Sequence, residues 1–264
     1  MTLLKQQWKN DRGSLLGWSL LMVFVSWLLV YMFRIMVDTG IVGDLNRAME
    51  SLPPAVRALW GLQETAVTLS GWVQAMLYHG LFLVVLATYT SLYVAGLITR
   101  EADQHSLEFL LSLPVGRDQV LLARWAGLVS GLAFLSLVHW LTVTLSAGGE
   151  VGTAALFWAD VNLFLVFTAL GGLLLVVSLF VDDYPRGVGI SMGISLLLFL
   201  LSAIEGAQGI LAAVQKMLPF YYLNPAEVIG RGQFPGRDML VLAAASLVFL
   251  VLAIYVFRRK QIAS

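Results

Sequence analysis

Side chains capable of chemistry are sparse in this chain and fall in three places. A polar island at residues 100–125, READQHSLEFLLSLPVGRDQVLLARW, separates two long apolar runs. His79 and His139 stand inside apolar runs, and Glu205 stands at the end of another. Helical spacing puts Leu107, Leu110 and Leu111 of the island on one face and Asp103, Gln104 and Glu108 on the other, which predicts a short amphipathic helix over residues 103–114. Pro114 should end that helix, because proline removes a backbone donor and pushes the preceding residue out of the helical region, and Gly116 then lets the chain turn. A helix this short is marginal alone, so its apolar face must rest on the membrane boundary, on neighbouring helices or on a partner protein.

The two histidines share a depth. His79 lies six residues into the second apolar run and His139 six residues before the end of the third, and each residue advances a helix by about 1.5 Å. Polar side chains inside a membrane face protein or a water-filled cavity rather than lipid. Two readings stand: a paired polar site lining the outer part of a substrate path, sensitive to protons or metal, or a plain interhelical hydrogen bond with interfacial anchoring. Glu205 either guards the exit of such a path or is a solvated helix end.

The elements that must hold these residues are read from composition and hydropathy. Of 264 residues, 59% are hydrophobic and only 12% charged, and the mean hydropathy is +0.85. That is too apolar for a soluble domain and marks an integral membrane protein. The formal net charge is zero, so no global field points to nucleic acid. The chain has no cysteine, which excludes disulfide scaffolds, thiolate metal sites and cysteine nucleophiles.

Six runs are long enough to cross the roughly 30 Å hydrocarbon core as helices: residues 14–33, 73–98, 120–145, 161–181, 188–204 and 239–257. The fold expected is therefore all-α, a single transmembrane domain over residues 1–264. Residues 1–13 carry Lys5, Lys9 and Arg12 and read either as a separate interfacial helix or as a basic flank that sets topology. Residues 34–70 and 205–237 form two longer polar loops, the second with an amphipathic candidate at residues 210–218. Spacings Gly127-x-x-x-Gly131 and Gly189-x-x-x-Gly193 could allow close helix packing, within the chain or between two copies.

Six spans put both termini, the island and the short turn at residues 182–187 on one side. That side holds Lys5, Lys9, Arg12, Arg100, Arg117, Arg124, Arg186, Arg258, Arg259 and Lys260, close to span ends. The other side holds Arg34, Arg47, Arg57, Lys216, Arg231 and Arg237, diluted over two loops. The positive-inside rule therefore predicts a cytoplasmic island and cytoplasmic termini in a multi-pass cell-membrane protein. No phosphate loop, H-E-x-x-H or G-x-S-x-G pattern occurs, so no catalytic residue and no resident cofactor or metal is assigned to the chain.

At Ile98-Thr99-Arg100-Glu101, followed by Ser106-Leu107-Glu108-Phe109-Leu110-Leu111-Ser112-Leu113-Pro114-Val115-Gly116-Arg117, the island resembles that of type-2 ABC-transporter permeases, the membrane subunits of ATP-binding-cassette exporters of bacterial or archaeal inner membranes. His105-Ser106 stands where the family usually has glycine-threonine, and Gly116 where it often has serine. The resemblance implies that the island is the coupling helix, seated in a groove of a cytoplasmic nucleotide-binding ATPase. Carried over by position, Leu107, Leu110 and Leu111 would pack, Glu108 and Arg117 would make charged contacts, and Glu101 would lock the island to its span, with Ser106 and Pro114 bounding the helix. It also implies two ATPase copies using Mg-ATP, and a second permease, identical or paralogous, packed through Gly189 and Gly193 of span five. The apolar interior favours a hydrophobic or amphipathic cargo such as a lipid, drug or peptide. A stand-alone channel or secondary transporter is the rival reading, disfavoured by few intramembrane carboxylates. A non-transporting scaffold that recruits an ATPase is a third.

Because the chain is free of cysteine, orientation is testable by single-cysteine labelling. In inverted vesicles, a membrane-impermeant maleimide should modify Ser106→Cys; in intact cells it should modify Arg47→Cys. The reverse pattern would overturn the cytoplasmic assignment.

Overall fold

The computed structural model describes residues 2–53, 56, 68–97, 117–181, 183–204, 206 and 208–259. Among these, the regular structure is helical. The long elements are α1 (Thr2–Asp38), α3 (Leu69–Gly96), α4 (Arg117–Ala147), α5 (Thr153–Ser178), α6 (Tyr184–Ser202) and α8 (Gly236–Arg259). Each carries a stretch long and apolar enough to cross a membrane. Two short helices, α2 (Ile41–Glu50) and α7 (Ile210–Gln215), lie in the longer connections, α7 falling within the amphipathic segment expected there.

Local chemistry sets several boundaries. Thr68 caps α3, its hydroxyl accepting from the Gly71 amide at 3.2 Å, and Asp183 caps α6 by accepting from the Arg186 amide at 3.3 Å; both occupy first-turn amides that have no intrahelical partner. Gly40 turns the chain from α1 to α2 at φ +75, a conformation that side-chain-bearing residues resist. Where a separate interfacial helix was one expectation for residues 1–13, α1 instead runs unbroken from Thr2. No proline interrupts it, and its 37 residues extend about 55 Å, well beyond the hydrocarbon core.

Helix α5 is the axis of the bundle. It packs against α3, α4, α6 and α8, while α1 lies on α4 and α6 on α3. In its apolar window 67% of the residues are buried, against 17% in α6, so α6 turns most of its apolar surface outward. Between helices in lipid there is little hydrophobic drive, and close packing and hydrogen bonds take over. Gly172 of α5 lets α8 approach, with Phe249 and Trp125 filling the space its missing side chain leaves. Gly131 of α4 makes room for the Tyr89 hydroxyl of α3. Ser91 of α3 and Ser195 of α6 meet at 3.4 Å.

Polar contacts mark the two ends. At one end Arg258 of α8 grips Asp118 of α4 through Nε at 2.9 Å to each carboxylate oxygen, and Tyr93 of α3 donates to Asp11 of α1 at 3.3 Å. At the other, Arg34 of α1 donates to the Ser146 carbonyl at 2.8 Å and lies 3.5 Å from Glu150. The connection between α6 and α8 is tied down there: Gln215 donates to the Leu201 and Ile204 carbonyls at 2.8 Å each, and Asn162 of α5 donates to the Tyr222 carbonyl at 3.1 Å.

A Cβ at Gly172 would meet Phe249 Cβ at 2.9 Å and the Trp125 ring at 3.3 Å. Gly172→Ala should therefore destabilise the bundle by about 1–3 kcal/mol, read as a lowered thermal midpoint in detergent. Gly17→Ala, with nothing within 4 Å, should be neutral or raise it, since alanine is the better helix former.

Candidate functional site

The site begins with an irregular turn. Helix α3 widens into a π-helical segment at Gln74–Leu81, and Gly80 inside it has non-helical angles, φ −104 and ψ −116. Such widened turns re-aim the side chains around them and recur at functional sites. Here Tyr78 and Phe82 are delivered to α4 and α5, while the adjacent His79 borders a cavity beside residues 216–227.

Helices α4 and α5 are antiparallel neighbours joined by a short connection. His139, eight residues before the end of α4, and Asp160, seven after the start of α5, are thereby brought to one level. His139 Nδ1 lies 2.7 Å from Asp160 Oδ1, and the Tyr78 hydroxyl donates to Asp160 Oδ2 at 2.7 Å. With the carboxylate ionised, the Nδ1 hydrogen of His139 donates to it, so each carboxylate oxygen accepts one hydrogen bond. Phe82 stacks on the imidazole at 3.6 Å between ring centroids and 16°; Tyr78 meets it edge-on at 5.3 Å. All four side chains are buried. His139 Nε2 is also buried, with no hydrogen-bond partner, as is the Ser136 hydroxyl one turn below it.

The electrostatics follow from depth. An isolated carboxylate in a low-dielectric interior carries a desolvation penalty that only a close counter-charge and hydrogen bonds offset. Here hydrogen bonds from a phenol and an imidazole meet the carboxylate and tie three spans together.

Two cavities lie in this half of the bundle, and one of them is lined by Asp160 itself. One, of about 640 Å³, lies between α3, the end of α6, residues 216–227 and the start of α8; His79, Gln74, Ser202, Lys216, Glu227 and Arg237 are among its walls. The other, of about 250 Å³, is a crevice between α4 and α5 lined by Ala133, Ser136, Leu137, Trp140, Phe157, Asp160, Val161 and Phe164. Leu137 and Phe157 are exposed on the outside of the bundle, so the crevice opens sideways. Among the described residues no group of three or more histidine and acidic side chains could hold a metal ion.

The residues singled out by sequence meet different fates. His139 and His79 come from neighbouring spans but are not hydrogen-bonded to each other: His139 engages Asp160, and His79 Nδ1 is buried without a partner. Gly189 and Gly193 lie on the outward side of α6, where an added Cβ would meet nothing within 4 Å. Packing inside the chain therefore does not occupy them. Glu101, Ser106, Leu107, Glu108, Leu110, Leu111 and Pro114 lie outside the described residues, as does Glu205, whereas Arg117 begins α4.

Asp160 and Tyr78 were not anticipated. Beginning span four at residue 161 left Asp160 in the loop, but α5 starts at Thr153 and carries it into the bundle. The signal was the apolar stretch Ala154-Ala155-Leu156-Phe157-Trp158 just before it, which extends the helical pattern by two turns past the charge.

A family model described as ABC-2 family transporter protein matches residues 1–262. No curated protein matches the chain.

Removing one partner of a buried pair leaves the other unbalanced, at a cost of about 3–5 kcal/mol. His139→Leu alone should therefore lower the thermal midpoint more than His139→Leu combined with Asp160→Leu. A double variant as unstable as the sum of the two singles would show that the side chains are not energetically coupled.

Proposed function

The chain belongs to the ABC-2 family of transporter proteins and is a multi-pass membrane permease subunit of an ABC transporter, and we propose that it lines an export path driven by a separate ATPase. The match over residues 1–262 carries this reading; membership implies a nucleotide-binding partner, consistent with a chain that has no phosphate loop of its own. In the proposal, two ATPase subunits bind Mg-ATP in the cytoplasm and dock on residues 103–114. Their closure pushes on the coupling helix, and the bundle moves between inward and outward access.

The neighbouring helices suit that role. Residues 98–116 join the end of α3 to the start of α4, and those same two helices meet again at Tyr78, Asp160 and His139. A displacement at the island would thus be carried along α4, and along α3 as far as its irregular turn at Gly80, to one shared hydrogen-bonded node, and from there into α5. The Asp118–Arg258 ion pair extends the connection to α8. A second permease, identical or paralogous, is proposed to pack on α6, whose outward face exposes Ile190, Met192, Leu196, Leu197 and Leu200 around Gly189 and Gly193. Cargo in this reading is hydrophobic or amphipathic, moved outward across the cell membrane, with both termini cytoplasmic.

Asp160 supports one rival. A buried His–Asp pair also suits a proton-coupled secondary transporter, and it removes part of the argument from scarce intramembrane carboxylates. Dependence on ATP separates the two.

Co-purification with a nucleotide-binding subunit, then transport in reconstituted vesicles, tests the proposal. Glu108→Lys and Arg117→Glu should each reduce ATPase recovery and ATP-driven transport at least tenfold while leaving the permease folded. An intact complex with unchanged transport would defeat the coupling assignment, and transport without any ATPase would favour the secondary transporter.

A further inference from the structure

The crevice between α4 and α5 is apolar on nearly every wall, yet at its base it touches a buried carboxylate. Trp140, Phe157 and Phe164 provide a slot for an alkyl chain, and Ser136 and Asp160 provide the polar end. Only two of the roughly four acceptor positions of a carboxylate are used by Tyr78 and His139. The Ser136 hydroxyl is buried with no partner. Asp160 and Ser136, both buried, thus line the inner part of a slot whose rim at Leu137 and Phe157 is exposed on the side of the bundle. An ammonium group has three donors and a positive charge, and fits that end; an anionic head would meet the carboxylate unfavourably.

We propose that this crevice is a lateral binding site for a single-chain amphiphile bearing a protonated primary amine, its chain between Trp140, Phe157 and Phe164 and its ammonium on Asp160 and Ser136. This rests on the transport reading above and names the cargo class for it. Among the described residues, Tyr78 from α3 and His139 from α4 are the titratable groups in hydrogen-bond contact with Asp160. The volume of about 250 Å³ suits one chain better than a two-chain lipid.

The test uses the full chain in phosphatidylcholine nanodiscs, titrated with dodecylammonium, dodecanol and dodecyl sulfate. Saturable binding above partition into empty nanodiscs is expected for the amine alone. Asp160→Asn should weaken the amine at least tenfold. Should that variant fold poorly, Ala133→Trp fills the crevice from its exposed rim, leaves the His139–Asp160 pair intact, and should weaken binding equally. Equal saturable binding of dodecanol, unaltered amine binding in both variants, or displacement of the amine by phosphatidylethanolamine would each overturn the assignment. A chain that binds the amine but recruits no ATPase fails the transport reading alone. One that transports with an ATPase yet has no saturable amine site fails this inference alone.

Discussion

A carboxylate placed among bilayer-spanning helices has to be met by donors, and the meeting of Asp160 with His139 and Tyr78 governs how three of the spans are arranged. Each partner comes from a different helix. The short connection between α4 and α5 sets the level of His139 against Asp160, and the π-helical turn of α3 sets the direction of Tyr78. Phe82 then closes the imidazole off from its surroundings by stacking on it. A shift of any one helix by a turn would separate donor from acceptor and leave charge unmatched in a medium that penalises it.

Around this node the bundle divides into a buried interior and a lipid-facing periphery. Helices α3 and α5 supply most of the interior, and glycines at 131 and 172 bring their neighbours close. Helix α6 contributes little to the interior and shows its apolar side to the outside, the surface expected of an element that has a neighbour still to meet. Because lipid is as apolar as leucine, that outward face is not unfavourable in itself. What marks it is its smoothness around Gly189 and Gly193, which permits another helix to come near.

The same node joins the transport reading to the ligand inference. The helices that flank residues 98–116 converge on Asp160, and Asp160 also floors the sideways crevice. A group that binds there would act on the hydrogen bonds linking α3, α4 and α5. Motion imposed at residues 98–116 and occupancy of the crevice would therefore influence one another through shared contacts, a reciprocity that thermodynamic linkage requires of any two coupled sites.

Hydropathy alone determined the membrane class and the presence of six spans, because the cost of exposing backbone and charge to hydrocarbon leaves long apolar helices as the readable solution. The island pattern at residues 100–117 likewise pointed to the family that the match over residues 1–262 bears out. Where α5 begins, and hence that Asp160 lies inside the bundle, was misread: a charge near a span end looks like a boundary when no partner is visible. That His139 pairs with Asp160 rather than with His79 also needed the tertiary structure. Depth along a helix follows from residue count, but the direction of a side chain across the bundle depends on packing angles and, at Gln74–Leu81, on a widened turn that no hydrophobic period announces. Spacing places residues along the membrane normal; only the packed helices decide which of them touch.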